Sequence, residues 1–247
     1  MISKNKLKFI KSLQIKKFRH LHLQFIVEGA KGVVELLNSD YHTDSLFVTQ
    51  KFADYYSNIL KNKTNDIEIV TQEELSKAGT FANNDAALAI VKMKDNKYLE
   101  IKGDEYALVL DQVKDPGNLG TIIRIADWYG INKIICSEEC ADMYNPKVIS
   151  ASMGSFTRVA LYYCDLVVYF QGIKNIPIYG ATLEGNSIHK EKFNSRGYIV
   201  LGNESEGIRD QVKKGLSLEI SIPKFGHAES LNVAIAAAVI CDRLRNA

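Results

Sequence analysis

Ala107-Leu-Val-Leu-Asp-Gln-Val-Lys-Asp-Pro-Gly-Asn-Leu-Gly-Thr-Ile-Ile-Arg124 reads as a buried strand running directly into a capped helix, and that reading decides the fold class. The run Ala107 to Leu110 is apolar throughout, as a strand buried on both faces must be. Pro116 and Gly117 end it, Asn118 is placed to cap the following helix, and Leu119, Ile122, Ile123 and Ala126 recur at helical spacing. Arg124 is thereby carried two turns into the helix at a defined distance from Asn118. Turns of this kind are where α/β proteins bind ligands. On its own, the stretch is read equally well as a crossover helix with a solvated arginine.

Two later segments repeat the pattern. Tyr198-Ile-Val-Leu-Gly-Asn-Glu-Ser-Glu-Gly207 is a second apolar strand that ends in a glycine-bracketed acidic loop. Ile220-Ser-Ile-Pro223, followed by Ser230-Leu-Asn-Val-Ala-Ile-Ala-Ala-Ala238, is a third strand, loop and helix, with Ser230 a natural cap. Further strands are expected at Lys133 to Cys136, Arg158 to Leu161, Pro177 to Ala181 and Leu218 to Ile222, alternating with helical patterns. The alternation predicts a mostly parallel sheet with helices on both faces.

Asp115-Pro-Gly-Asn-Leu-Gly120 with Arg124, Gly202-Asn-Glu-Ser-Glu-Gly207, and Ile222-Pro223 with Ser230-Leu-Asn-Val233 resemble the three ordered motifs of the SpoU (TrmH-like) RNA ribose 2′-O-methyltransferases. The first third resembles, through the more generic Ile2-Ser-Lys-Asn-Lys6, Lys16-Lys-Phe-Arg19 and Phe25-Ile-Val-Glu-Gly29, the substrate-binding domain that often precedes the catalytic domain in that family. The resemblance implies a deep trefoil knot with roughly residues 202 to 231 threaded, although knots are nearly absent among proteins. It also implies S-adenosylmethionine as methyl donor, a homodimer, and structured RNA as substrate, with ribosomal RNA favoured over transfer RNA by the extra amino-terminal domain. Gly202, Ile222 and Leu231 would line the donor, Gly202 by letting the main chain approach closely; Thr182 and Leu183 are further candidates. Without the resemblance, Ile222 and Leu231 read as core.

Catalysis would fall to Arg124, Asn118, Glu204, Ser230 and Asn232. The acceptor is a ribose hydroxyl, a poor nucleophile that must lose its proton as it attacks. Arg124 would either act as the base, which a guanidinium rarely does, or stay charged and stabilise the developing alkoxide. Asn118 would orient Arg124 or the ribose, Glu204 would fix Arg124 or a neighbouring turn, and Ser230 and Asn232 would hold substrate and arginine. Ser150-Ala-Ser-Met-Gly-Ser155 also resembles a family segment but reads first as packing. Phe225-Gly-His-Ala-Glu229 departs from the family, with His227 and Glu229 where many relatives carry smaller or apolar residues. A catalytically silent RNA-binding or ribosome-assembly protein is the rival expectation, and intact Asn118, Arg124, Glu204, Ser230 and Asn232 argue against it. A resistance enzyme that modifies a drug site on the ribosome would share the chemistry.

Composition fits a folded protein of one large or two modest domains: 247 residues, 46% hydrophobic and 24% charged. Cys136, Cys140, Cys164 and Cys241 lack zinc-ribbon spacing, so reduced thiols and no metal are expected. The apolar stretch Ser230 to Cys241 is too short to span a bilayer, and a cytoplasmic location is the default. The net charge is only +2, yet Lys4, Lys6, Lys8, Lys11, Lys16, Lys17, Arg19 and Lys31 are opposed within the first 31 residues by Glu28 alone. With Leu7, Ile10 and Leu13 they suit an amphipathic helix, from about Asn5 to His20, that lies on a phosphate backbone. Alternating elements continue to Val91, and the polar loop Lys92 to Glu105 places a boundary near residue 100. The expected division is therefore an RNA-binding α/β domain over 1–100 and the knotted methyltransferase domain over 101–247.

Overall fold

The computed structural model describes residues 1–61 and 66–246. The chain folds as two units, Met1–Asp95 with Asp142–Thr157, and Asn96–Ala141 with Arg158–Ala247. A single cut near residue 100 therefore misses one exchange: residues 142–157 leave the second unit and complete the first.

The first unit begins with helices α1 (Lys4–Ser12) and α2 (Lys16–His22), where one continuous helix was expected. The break has a visible cause. Arg19 is only 1% exposed; its guanidinium donates to the carbonyls of Leu13 at 3.1 Å and Gln14 at 2.9 Å and pairs with Asp142 at 2.6 Å. The carbonyls freed at the break thus find a buried donor, as buried backbone must. Arg19 is a structural cation and is withdrawn from the expected RNA-binding set.

The chain continues through β1 (Gln24–Glu28), α3 (Ala30–Leu37), β2 (Thr43–Val48), α4 (Gln50–Tyr55), α5 (Ser57–Leu60), β3 (Ile67–Ile69), α6 (Gln72–Ala78) and β4 (Ala87–Lys92). The strands form one sheet in the order β1-β4-β2-β3, with β4 antiparallel to both neighbours and β3 parallel to β2. Ile10, Leu13, Ile26, Phe47, Leu75 and Leu88 fill its core. The β1 end is fixed by Glu28, whose carboxylate accepts from the amides of Thr80 and Phe81 and from the Thr80 hydroxyl at 2.7 Å. Gly79 leaves room for it, because a Cβ there would lie 1.8 Å from Glu28 Oε2 and displace the carboxylate from these bonds.

The second unit contains β5 (Tyr106–Leu110), α7 (Pro116–Trp128) and β6 (Lys133–Ser137). The chain then crosses to the first unit as α8 (Pro146–Ser152) and the 3₁₀ turn Ser155–Thr157. There Tyr144 and Phe156 pack on Phe25, and Ser152 and Ser155 are buried, so the segment around Ser150 to Ser155 does serve packing. It returns as β7 (Ala160–Cys164), α9 (Leu166–Gln171), β8 (Ile178–Ser187), β9 (Gly197–Leu201), α10 (Asp210–Lys213), β10 (Leu218–Ser221) and α11 (Val233–Arg245). Six strands form a sheet in the order β10-β8-β9-β5-β6-β7, every pairing parallel. β5 and β9, buried at every residue, are the central pair, which is why their sequences are uninterrupted apolar runs.

β8 departs from the simple strand expected over Pro177 to Ala181. Its pairing with β10 passes from Glu219↔Gly180 directly to Ile220↔Asn186, so residues 181–185 bulge out of the ladder. Gly185 permits the return, since a Cβ there would lie 2.5 Å from the main chain of Glu219 and Ile220.

All four cysteines are free thiols; Cys136, Cys140 and Cys241 are buried and Cys164 is half-buried. Among the described residues no helix is long and apolar enough to cross a membrane, and no cluster of His, Cys, Asp and Glu could hold a metal.

Arg19→Met should lower stability by about 3 kcal/mol, because it strands the Asp142 carboxylate in a nearly buried site. Urea unfolding of the variant measures the loss, and RNA affinity at a given salt concentration should stay unchanged for the folded fraction.

Candidate active site

At the carboxyl end of β5 the chain turns through Asp111 to Asp115 before α7 begins. Asp115 is the cap, accepting from the Asn118 amide at 2.8 Å, with Pro116 in the first turn. Asn118 is therefore a first-turn residue, not the cap its type suggested, and its side chain is free for longer-range bonds. It makes two. Its Nδ2 donates to Glu204 Oε1, and its Oδ1 accepts from Asn232 Nδ2 at 3.0 Å. One carboxamide thus joins three turns that lie 86 and 114 positions apart in sequence.

Asn232 serves twice as well. Its Oδ1 accepts from the amides of Ala234 at 2.9 Å and Ile235 at 3.4 Å, so it, and not Ser230, caps α11. Ser230 is exposed and makes no hydrogen bond to another described residue. Arg124 lies on α7 six residues beyond Asn118, about 9 Å along the axis by helical rise. It is exposed and bonded to neither Asn118 nor Glu204; of the two partners expected for Glu204, Arg124 or a neighbouring turn, its bond goes to the turn that carries Asn118.

The loop that carries Glu204 is built tightly. Asn203 and Gly207 bridge each other's main chain at 3.0 and 2.9 Å, the Asn203 carboxamide accepts from Ser205 and Glu206, and its Nδ2 donates to the Gln112 carbonyl at 2.9 Å. Gly202 is demanded by this closure: a Cβ there would lie 2.1 Å from the Gly207 carbonyl carbon. The glycine thus has a local reason of its own, besides the close approach of a bound molecule expected from the sequence.

A pair the sequence did not disclose locks the loop to the first turn. Asp111 is fully buried and accepts from Arg209 through the main-chain amide at 2.8 Å and the guanidinium at 2.7 Å. Burial works against the charge on Arg209, but its bonds to Asp111 prevail and hold it above its ordinary pKa, with Glu139 adding a weaker attraction. Gln112, at φ 58°, occupies the left-handed region between these anchors, with its amide on Ser137 Oγ.

The residues expected to hold a cofactor lie in or just past three adjacent strands, except Leu231, which comes shortly before α11. Gly202 follows β9, Ile222 follows β10, and Thr182 and Leu183 sit in the bulge of β8 between them. Gly202, Thr182 and Ile222 are half-buried, while Leu231 at 48% and Leu183 at 75% stand exposed. Among the described residues, Thr182 Oγ1 is a buried side-chain oxygen with no hydrogen-bond partner. Such an atom calls for a ligand or water.

The family model of the SpoU rRNA methylase family matches residues 105–242. The chain belongs to that family. Residues 4–89 of this SpoU methylase match the MRM3-like substrate binding domain. Along 97% of its length it is 28% identical to the 23S rRNA (guanosine(2553)-2′-O)-methyltransferase RlmP of Bacillus subtilis, of which it covers 96%. Among solved structures, a putative RNA methyltransferase of the TrmH family from Porphyromonas gingivalis is 32% identical, with a TM-score of 0.86 over 100% of this chain and 99% of that one. The SpoU methyltransferase AviRb from Streptomyces viridochromogenes, in complex with the cofactor AdoMet, shares the fold at 20% identity, with a TM-score of 0.88 over 99% and 98% of the two chains.

Of the basic residues expected to meet RNA, Lys8, Lys11, Lys16 and Lys17 are exposed. Lys6 is partly engaged, hydrogen-bonded to Glu68 and 3.7 Å from Asp66, and the Glu68 bond raises its pKa against the opposing effect of burial. Arg19, as described, is buried.

Gly202→Ala should destabilise the SpoU methylase by about 1 to 3 kcal/mol and weaken S-adenosylmethionine binding, because the added methyl group forces the Glu204 loop open. Thermal unfolding and calorimetry measure the two effects. A variant as stable as wild type would show that the loop relaxes without cost.

Proposed function

We propose that the protein transfers a methyl group from S-adenosylmethionine to a ribose 2′-hydroxyl of structured RNA, with ribosomal RNA as the substrate. The observation that carries this reading is the bridge Glu204–Asn118–Asn232, which ties the three family motifs together past the carboxyl ends of the central strands β5 and β9. Fold-level likeness alone would not be enough.

S-adenosylmethionine supplies, when bound, a methyl group activated by its sulfonium. Thr182, Leu183, Gly202, Ile222 and Leu231 are the residues proposed to hold it. The partnerless Thr182 hydroxyl and the exposed Leu183 and Leu231 fit an adenosine, which offers polar atoms and an apolar face. Asn118, Glu204 and Asn232 keep the turns in register, and Ser230, exposed beside them, is available to the RNA. Arg124 stands clear of these bonds. Its exposed position supports the second of its two roles, a guanidinium that keeps its proton, clamps the neighbouring phosphate and stabilises the developing alkoxide.

The same proposal includes the trefoil knot. α11 follows β10 at one edge of the sheet yet packs on α7, and Asn232 at its start reaches Asn118. It includes a homodimer, for which Trp128 on α7 and Ile235 on α11, 84% and 53% exposed, offer apolar surface, and action in the cytoplasm. The amino-terminal unit would position RNA by phosphate contacts through Lys8, Lys11, Lys16 and Lys17.

Labelled methyl transfer to total RNA, followed by mapping of the modified nucleotide, tests the reading. Incorporation at a ribose of ribosomal RNA supports it. Label in transfer RNA alone would move the substrate, and no incorporation together with no S-adenosylmethionine binding would establish the silent scaffold. Arg124→Ala should bind S-adenosylmethionine as wild type does and lose about 10²- to 10⁴-fold in transfer rate. Replacing Lys8, Lys11, Lys16 and Lys17 by Ala should flatten the slope of log K against log salt by about 3. Filter binding over a salt series reads the slope, and an unchanged value would mark these lysines as merely solvated.

A further inference from the structure

The amino-terminal unit carries a groove of about 410 Å³ lined by Gln14, Thr80, Phe81, Asn145, Lys147 and Ser150 among others. Its size falls within the range of small-ligand sites, about 300 to 1,000 Å³. Its walls are held by bonds that leave specific atoms over. Gln14 Nε2 donates to the carbonyls of Ala78 and Gly79 at 3.3 and 3.2 Å, which fixes the carboxamide at the break between α1 and α2 and leaves Oε1 as an acceptor. Asn145 caps α8 by accepting from the Lys147 amide at 2.9 Å, which leaves Nδ2 as a donor. Phe81 is half-buried and its main chain is tied to Glu28 at 3.3 Å. The exposed Lys11, Lys16 and Lys17 flank Gln14 in sequence.

An aromatic ring, one acceptor and one donor, with exposed cations a few residues from Gln14 in sequence, make up the chemistry that recognises a nucleotide. The base stacks on the ring, its edge meets the two amide atoms, and the flanking phosphates meet the lysines. A base within a duplex has both faces covered by its neighbours, so only an unpaired one can stack on protein. We propose that this groove seats one unpaired nucleotide of the RNA substrate on Phe81, with Gln14 and Asn145 at the base edge. The inference rests on the reading of the protein as an RNA methyltransferase, and makes it specific: the substrate must present an unpaired nucleotide, in a loop or bulge, to the amino-terminal unit.

The full-length protein is titrated with a single-stranded decaribonucleotide that carries 2-aminopurine at its centre. Stacking on Phe81 should quench the probe. Phe81→Leu should lose the quench and bind about tenfold or more weakly, whereas Phe81→Trp should keep both. Ser150→Tyr, which fills the groove from a half-buried position, should act as Phe81→Leu does, and decides the matter alone if Phe81→Leu fails to fold. The same strand in a blunt duplex should not be quenched, and adenosine monophosphate should not displace the oligonucleotide at equal concentration. Undiminished quenching by both Phe81→Leu and Ser150→Tyr would overturn the proposal, and so would equal competition by the mononucleotide. The titration requires neither S-adenosylmethionine nor turnover. Wild-type protein that methylates RNA while the variants bind normally removes the groove alone; wild type that binds as proposed but transfers nothing removes the enzymatic reading alone.

Discussion

A single carboxamide, that of Asn118, directs its donor to Glu204 and its acceptor to Asn232, and the candidate site depends on that division. An amide side chain offers both functions on one rigid plane, with donor and acceptor on a single carbon. A carboxylate in its place would meet Glu204 with like charge, and a hydroxyl is too short to span both partners. Since the three turns follow β5, follow β9 and precede α11, no local sequence signal holds them together. Their convergence is a tertiary fact, and the amide is where it is recorded.

Around that bridge the molecule sorts its charges by burial. Asp111 and Arg19 are buried charges, each compensated by a less buried partner, Arg209 and Asp142, and both pairs take further bonds from or to the main chain. Pairs of this kind contribute little net stability relative to apolar residues, but losing one partner is costly, so they fix geometry more than they stabilise it. Arg124 differs from both. It emerges from a helix whose buried face is Leu119, Ile122, Ile123 and Ala126, and the protein leaves its charge to whatever binds.

The architecture was largely legible because a parallel sheet buried on both faces must be written in uninterrupted apolar runs. Ala107 to Leu110 and Tyr198 to Leu201 are of that kind, and the motifs follow them directly. The residues that misled did so for definable reasons. Asp115 and Asn118 are both good caps, as are Ser230 and Asn232, and only the main-chain path chooses between them. Arg19 looks like its neighbours Lys16 and Lys17, and its burial depends on Asp142, 123 positions away. Asp111 and Arg209 are 98 positions apart, and neither carries a local pattern. The bulge at 181–185 was hidden because its glycine matters through contact with β10, not through a turn of its own.

The exchange of residues 142–157 bears on how the protein comes into being. Phe25 and Arg19 are covered by Phe156, Tyr144 and Asp142, which the ribosome adds only after β5, α7 and β6. The amino-terminal unit therefore cannot close during its own synthesis. It waits, with an aromatic ring and a guanidinium uncovered, until residues 142–157 have been added and more than half the polypeptide has been made.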